Sequence, residues 1–200
     1  MDKLIIGNKE SGQYYGLCAF VKPHYTPSRN VSRWEDIEAV ANDMVAFKNA
    51  MNGCFQGNRE AYAISHCQVS ESPWNFFVVA QEFTRNFRTV LRQNVKTGKT
   101  EIEQVEAKPD FKSQIVVNPK ILDGGDPYTV LEGCMSFPFR KAKKITRMYV
   151  CEVSYQFPDA GKLVEVREMV YGQKAQAFQH AVEHSRGKNI YSEGPAEVAD

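Results

Sequence analysis

His180 and His184 stand four residues apart in a stretch, residues 173–185, that reads as a helix. One helical turn of separation puts both imidazoles on one face, where they can share a divalent ion. Spacing alone does not separate such a pair from two packed or exposed histidines. A third soft donor raises the case for metal. Cys134 sits in Leu131-Glu132-Gly133-Cys134-Met135-Ser136-Phe137-Pro138, where Gly133 permits a close turn and Pro138 stops strand pairing, so a thiolate can be displayed from a bend. One cysteine and two histidines make a zinc or iron(II) set with a fourth position open. The alternative is a hydrogen-bonded structural thiol. Cys18, Cys54, Cys67 and Cys151 complete an odd total of five with no C-x-x-C spacing, which excludes a zinc ribbon and argues against a disulfide framework.

These residues need a scaffold, and the sequence outlines one. Ser32-x-x-Glu35 predicts a capping box, followed by Ile37, Val40, Ala41, Met44 and Met51 at helical spacing, with Gly53 as the stop. Residues 61–68 lead into the β-branched and aromatic run 74–80, which predicts a strand. Residues 84–112 are charged and alternating around Lys96-Thr97-Gly98-Lys99, the pattern of an exposed hairpin. Further strands are predicted at 114–118, 146–155 and 162–169, before the helix that carries the histidines. Strands packed around a late helix, without regular β-α alternation, predict an α+β fold. The expected organisation is one domain over 32–195 with an inserted hairpin at about 84–112, an N-terminal extension at 1–31 and a tail at 196–200. The first thirty residues are rich in aromatics and prolines and carry no pattern that points to chemistry.

Composition narrows the classes further. The chain has 200 residues, with 25 Lys and Arg against 24 Asp and Glu, so no overall basic field invites nucleic acid. The basic cluster Arg140-Lys141-Lys143-Lys144 could touch RNA phosphates at a ribosome, yet four local charges read more simply as a solvated loop. Specific nucleic-acid binding is not indicated. The longest apolar run, Phe76 to Ala80, is too short to cross a bilayer, and residues 1–12 lack a signal-peptide core. A cytoplasmic protein is the expectation.

At the cysteine and histidine positions the sequence resembles the peptide deformylases, whose motifs run G-x-G-L-A-A-x-Q, E-G-C-L-S and Q-H-E-x-D-H. The second stands here as Glu132-Gly133-Cys134-Met135-Ser136 and the third as Gln179-His180-Ala181-Val182-Glu183-His184. Of the first, at Ala61-Tyr62-Ala63-Ile64-Ser65-His66-Cys67-Gln68, the terminal Gln remains. Val117-Asn118-Pro119-Lys120-Ile121-Leu122 and Ile145-Thr146-Arg147 match the surroundings of the second motif. The resemblance implies mixed or antiparallel sheets packed around a C-terminal metal-binding helix. It also implies one divalent metal (zinc, iron(II) or nickel) on Cys134, His180 and His184. Gln68 and the backbone N–H of Met135 would hold a developing oxyanion while activated water attacks an N-formyl group.

The departures from the pattern alter that chemistry. The proton-moving glutamate is replaced by Ala181, which cannot accept a proton. At about 100° per residue, Ala181 and Glu183 lie roughly 80° to opposite sides of the histidine face. Glu183 therefore does not substitute and instead takes a supporting position, with Arg147 as its candidate partner. His66 is a candidate replacement base, provided that the segment is extended so that His66 and Gln68 share a side. The resemblance places a side-chain pocket at Tyr62, Ala63, Val130, Gln173, Gln176 and Ala177, where the glutamines are poor lining for a thioether. Phe178 and Val182 are expected to face the core. The reading is a deformylase-like metalloprotein impaired in, or repurposed from, deformylation, with an N-formylated peptide or a protein as partner. The alternatives are an active N-formyl hydrolase with another base, and a variant engineered from Glu to Ala.

Overall fold

All five residues of Phe76-Phe77-Val78-Val79-Ala80 are buried, which requires cover on both faces of their strand. The structure, a computed structural model, describes residues 25–51, 62–80, 113–137 and 140–192, together with short strands at 6–8, 13–15, 87–93 and 100–106. In chain order the elements are β1 (Ile6–Asn8), β2 (Gln13–Tyr15), a 3-10 turn (Trp34–Asp36), α1 (Glu38–Met51), β3 (Ala63–Ser65) and a second 3-10 turn (His66–Gln68). There follow β4 (Phe76–Ala80), β5 (Phe87–Gln93), β6 (Thr100–Glu106), β7 (Ser113–Glu132), β8 (Lys143–Asp159), β9 (Lys162–Tyr171) and α2 (Gly172–Ser185). A five-stranded antiparallel sheet in the order β3-β4-β7-β8-β9 forms the centre. The fold is α+β.

Strand alternation explains the burial of β4. Phe76 and Val78 face the α1 side with Val40, Ala41, Met44 and Phe47, while Phe77 and Val79 face α2 with Ala175, Phe178 and Ala181. Neighbouring Val116 and Val117 on β7 divide in the same way. β8 and β9 are joined by Ala160 and Gly161, both at positive φ, as a tight two-residue hairpin turn demands. Gly172, at φ +53, makes the corner from β9 into α2, where a side chain would be strained.

Several expectations change in detail. α1 starts at Glu38, after the 3-10 turn, and no side chain caps that turn at Arg33. The capping box lies elsewhere, at Ser65 and Gln68. β7 does not stop at Asn118-Pro119 but continues to Glu132 through two register irregularities, which accommodate a proline without an N–H. The charged stretch read as a hairpin pairs as β5 with β6, while its central Lys96–Lys99 lies outside the described residues. Residues 25–31 pack into the main body: Asn118 accepts from the Val31 N–H at 2.9 Å and donates to the Val31 carbonyl at 2.8 Å. Among the described residues no helix is long and apolar enough to cross a membrane.

Candidate metal centre

β7 ends in Glu132, and the bend after it delivers Cys134 beneath α2. α2 rests on the sheet through Ala175, Phe178 and Ala181, which turns its histidine face toward that bend. One donor atom each from Cys134, His180 and His184 lies within 4.8 Å of the others. Cys134 Sγ and His184 Nε2 are 3.4 Å apart, close to the roughly 3.5 Å edge of a tetrahedron with ordinary metal–sulfur and metal–imidazole bonds.

Each histidine is oriented by its other nitrogen. His184 Nδ1–H donates to the Lys188 carbonyl at 2.8 Å, and His180 Nδ1–H donates to Glu132 Oε1 at 2.5 Å. Both Nε2 atoms are left to bind an ion. Burial opposes the Cys134 thiolate, but hydrogen bonds and charge from His180 and His184 outweigh it and hold the thiol well below its usual range. The three residues fit a divalent metal.

Glu132 is the hub of the surrounding network. Its two oxygens take Arg147 Nη2 and Nε at 2.6 and 2.9 Å, Gln176 Nε2 at 2.9 Å and His180 Nδ1. The same guanidinium grips Glu183 with Nη1 at 2.5 Å and Nη2 at 2.9 Å. Desolvation would raise the Glu132 carboxyl, yet Arg147 and His180 pull it down to about 2. Depression below the unfolded value of about 4.5 means that this stabilisation is complete above pH 4.5 and is lost as pH falls toward 2. The metal-free protein is expected to lose stability steeply across that window in urea titrations, and a Glu132→Gln variant is expected to show a flatter profile.

A cleft of about 200 Å³ opens beside the histidines, with Ala181 on its wall. Gln68 and Met135 line it together with Tyr62, Ala63, Gln173, Gln176 and Ala177; Val130 is not among the lining residues, and its neighbour Leu131 is. Gln68 accepts from the Ser65 N–H at 2.8 Å and donates to Ser136 Oγ at 2.9 Å, so its amide nitrogen faces the cysteine bend. Gln176 is more than lining, because its nitrogen is committed to Glu132.

His66 is not at the cleft. The segment is a 3-10 turn at that point, so residues two apart are about 120° from sharing a side, unlike the strand that the base role requires. His66 stacks on Phe76 at 4.9 Å and accepts the Trp74 N–H at 2.9 Å. Burial, with Arg29 adding to it, lowers its imidazole to about 4.

The sequence matches the polypeptide deformylase family over residues 22–196. This protein belongs to the polypeptide deformylase family. Solved deformylases share its fold: one from Thermotoga maritima is 23% identical, covers 83% of this chain and 86% of its own, and superposes with a TM-score of 0.55. One from Synechococcus elongatus, in complex with actinonin, is 20% identical over 90% of this chain and 84% of its own, with a TM-score of 0.58. A probable deformylase from Synechococcus phage S-SSM7 is 19% identical over 83% and 89%, with a TM-score of 0.57. No curated protein matches the chain by sequence.

Two residues beside the cysteine and histidines escape a reading of the sequence. Glu132 stands in the cysteine motif, and the rule that a ligating histidine needs a partner for its second nitrogen could have flagged it. Tyr25 gives no local signal. It is brought in by Gly187, at φ +83, where an added Cβ would lie 2.8 Å from the Tyr25 carbonyl. That close approach lets the Tyr25 N–H donate to the Gly187 carbonyl at 3.1 Å and sets the Tyr25 ring edge-on to His184 at 4.6 Å. The basic cluster is outward, with the Arg140 guanidinium over the Tyr191 ring at 4.9 Å.

Proposed function

We propose that this deformylase-family protein holds one divalent metal on Cys134, His180 and His184, binds N-formylated peptides in the adjoining cleft, and is impaired in hydrolysing them. The observation that carries the reading is Ala181, a methyl group on the cleft wall where the family places its proton carrier. Supporting it, the nearby carboxylates and the spare imidazole among the described residues are committed elsewhere. Glu132 is saturated by four donors, Glu183 is bound to Arg147, and His66 is turned into the body of the protein.

A bound metal would supply Lewis acidity toward a formyl oxygen. The Gln68 amide and the Met135 backbone N–H would orient that oxygen, while Tyr62 and Ala63 would flank the peptide. Among the described residues no uncommitted carboxylate or imidazole is at hand to take a proton from water and pass it to the leaving amine. Loss of such a group typically lowers the rate by about 10²- to 10⁴-fold.

The test pairs elemental analysis with formyl-Met-peptide binding and turnover on the zinc- or iron(II)-loaded protein. Near-stoichiometric metal, measurable peptide affinity and turnover at least about 10²-fold below an active family member are expected. Ordinary turnover would overturn the impairment, and absence of metal would overturn the metalloprotein reading.

A further inference from the structure

The hydroxyl of Tyr25 lies 3.7 Å from Cys134 Sγ, in a buried contact between residues 109 apart in sequence. Gln68 Nε2 approaches the same sulfur at 3.9 Å while donating to Ser136 Oγ at 2.9 Å. The directions of these bonds are mutually consistent. The amide nitrogen of Gln68 can only donate, Ser136 accepts it, and Tyr25 can pass its hydrogen to the sulfur. A cysteine sulfur that ligates a metal carries no hydrogen, so between these two atoms the phenol is the donor.

We propose that Tyr25 is a positioning residue of the metal centre, donating a hydrogen bond to the Cys134 thiolate beside the approach of the Gln68 amide. The proposal rests on the metal reading above. A hydrogen bond stabilises the sulfur lone pairs and reduces the charge that the sulfur gives to the ion, which leaves the ion the stronger Lewis acid. Of these two side chains outside the ligand set, the Tyr25 hydroxyl at 3.7 Å approaches the sulfur more closely than the Gln68 amide at 3.9 Å. The edge-on contact with His184 holds the ring in place for this task. Fixing the ring is a separate contribution, and phenylalanine would preserve it.

The experiment is cobalt(II) substitution, which makes the sulfur-to-metal charge-transfer band visible. In Tyr25→Phe the ring and its packing stay while the donated hydrogen is lost, so the band is expected to move to longer wavelength. A fluorinated tyrosine at position 25, with a more acidic hydroxyl on the same ring, is expected to move it to shorter wavelength, and this arm stands even if the phenylalanine variant folds poorly. Bands at the wild-type position in both substituted proteins, at full cobalt occupancy and with unchanged circular dichroism, would overturn the proposal. Failure of the wild-type protein itself to take up cobalt would overturn the metal reading instead, so the two failures are told apart.

Discussion

Replacing Ala181 by glutamate is expected to raise formyl-peptide hydrolysis by about 10²- to 10⁴-fold in the metal-loaded protein, the usual contribution of a positioned general base. Ala181 is 3% exposed, yet it borders a cleft of about 200 Å³, so the new carboxylate has open volume in front of it. It would project beside His180, on the opposite flank of α2 from Glu183, toward the space between the histidines and Gln68. With Gln68 and the Met135 N–H in the roles proposed above, the substitution supplies proton transfer alone. The effect should appear chiefly in kcat, with KM little changed, because the proton moves in the transition state and not on binding. The measurement is steady-state kinetics for Ala181→Glu and for Ala181→Gln, which adds similar bulk without basicity. An equal response from the two would sink the claim. A null result from the glutamate with metal bound would locate the impairment in the cleft wall, at Gln173 and Gln176.

The Arg147→Met substitution is expected to destabilise the fold by about 3–5 kcal/mol, the typical cost of leaving a buried charge without its partner. Arg147 and Glu132 are each 3% exposed, and the guanidinium grips two carboxylates with paired hydrogen bonds. Without the arginine, Glu132 is either a buried charge or a protonated acid. A protonated Glu132 is a weaker acceptor for His180 Nδ1–H, so metal affinity should fall by about 10- to 100-fold as well. Glu183→Gln provides the contrast: the Glu183 side chain is 38% exposed, and its loss should cost about 1 kcal/mol or less. Urea unfolding and competitive metal titration measure the two quantities. A loss under 1 kcal/mol in Arg147→Met with unchanged metal affinity would show that the network is incidental.

The parts of the site that lie close in sequence could be read from it, and those assembled by long-range packing could not. Two histidines one turn apart on α2, and a cysteine between Gly133 and Met135, declare themselves through spacing that any helix or bend imposes. Ala181 is equally plain because its position relative to the histidines is helical arithmetic. His66 misled because the strand-like Ala63-Ile64-Ser65 changes to a 3-10 turn one residue later, a switch driven by the Ser65 and Gln68 capping box. The expected capping box at Ser32 shows the reverse error, a sequence pattern with no cap made at Arg33. Gln176 read as pocket lining, but its amide is held by Glu132, which lies 44 residues away. Tyr25 was silent since its role depends on a glycine 162 positions later that admits its backbone. The α+β class followed from strand-sized apolar runs, whereas the true length of β7 was hidden by Pro119.

The irregular course of β7 carries a parity condition. From Val117 to Glu132 the strand takes fifteen steps, while β8 answers with thirteen from Gln156 to Lys143. Each of the two irregularities adds one residue that has no partner on β8, so odd and even positions of β7 trade faces there while the pairing with β8 stays in step. Together they cancel, so Glu132 reaches the α2 side in phase with Val116. Removing the unpaired residue at either place would close that irregularity and leave Glu132 opposite Lys143 and facing His180, whereas removing a residue from the regular pairing would turn Glu132 away and swing the cysteine bend with it. Changes of length in this strand are therefore tolerable at the two irregularities and disruptive elsewhere, a constraint on insertions and deletions imposed by the pleat and by no contact with the metal ligands.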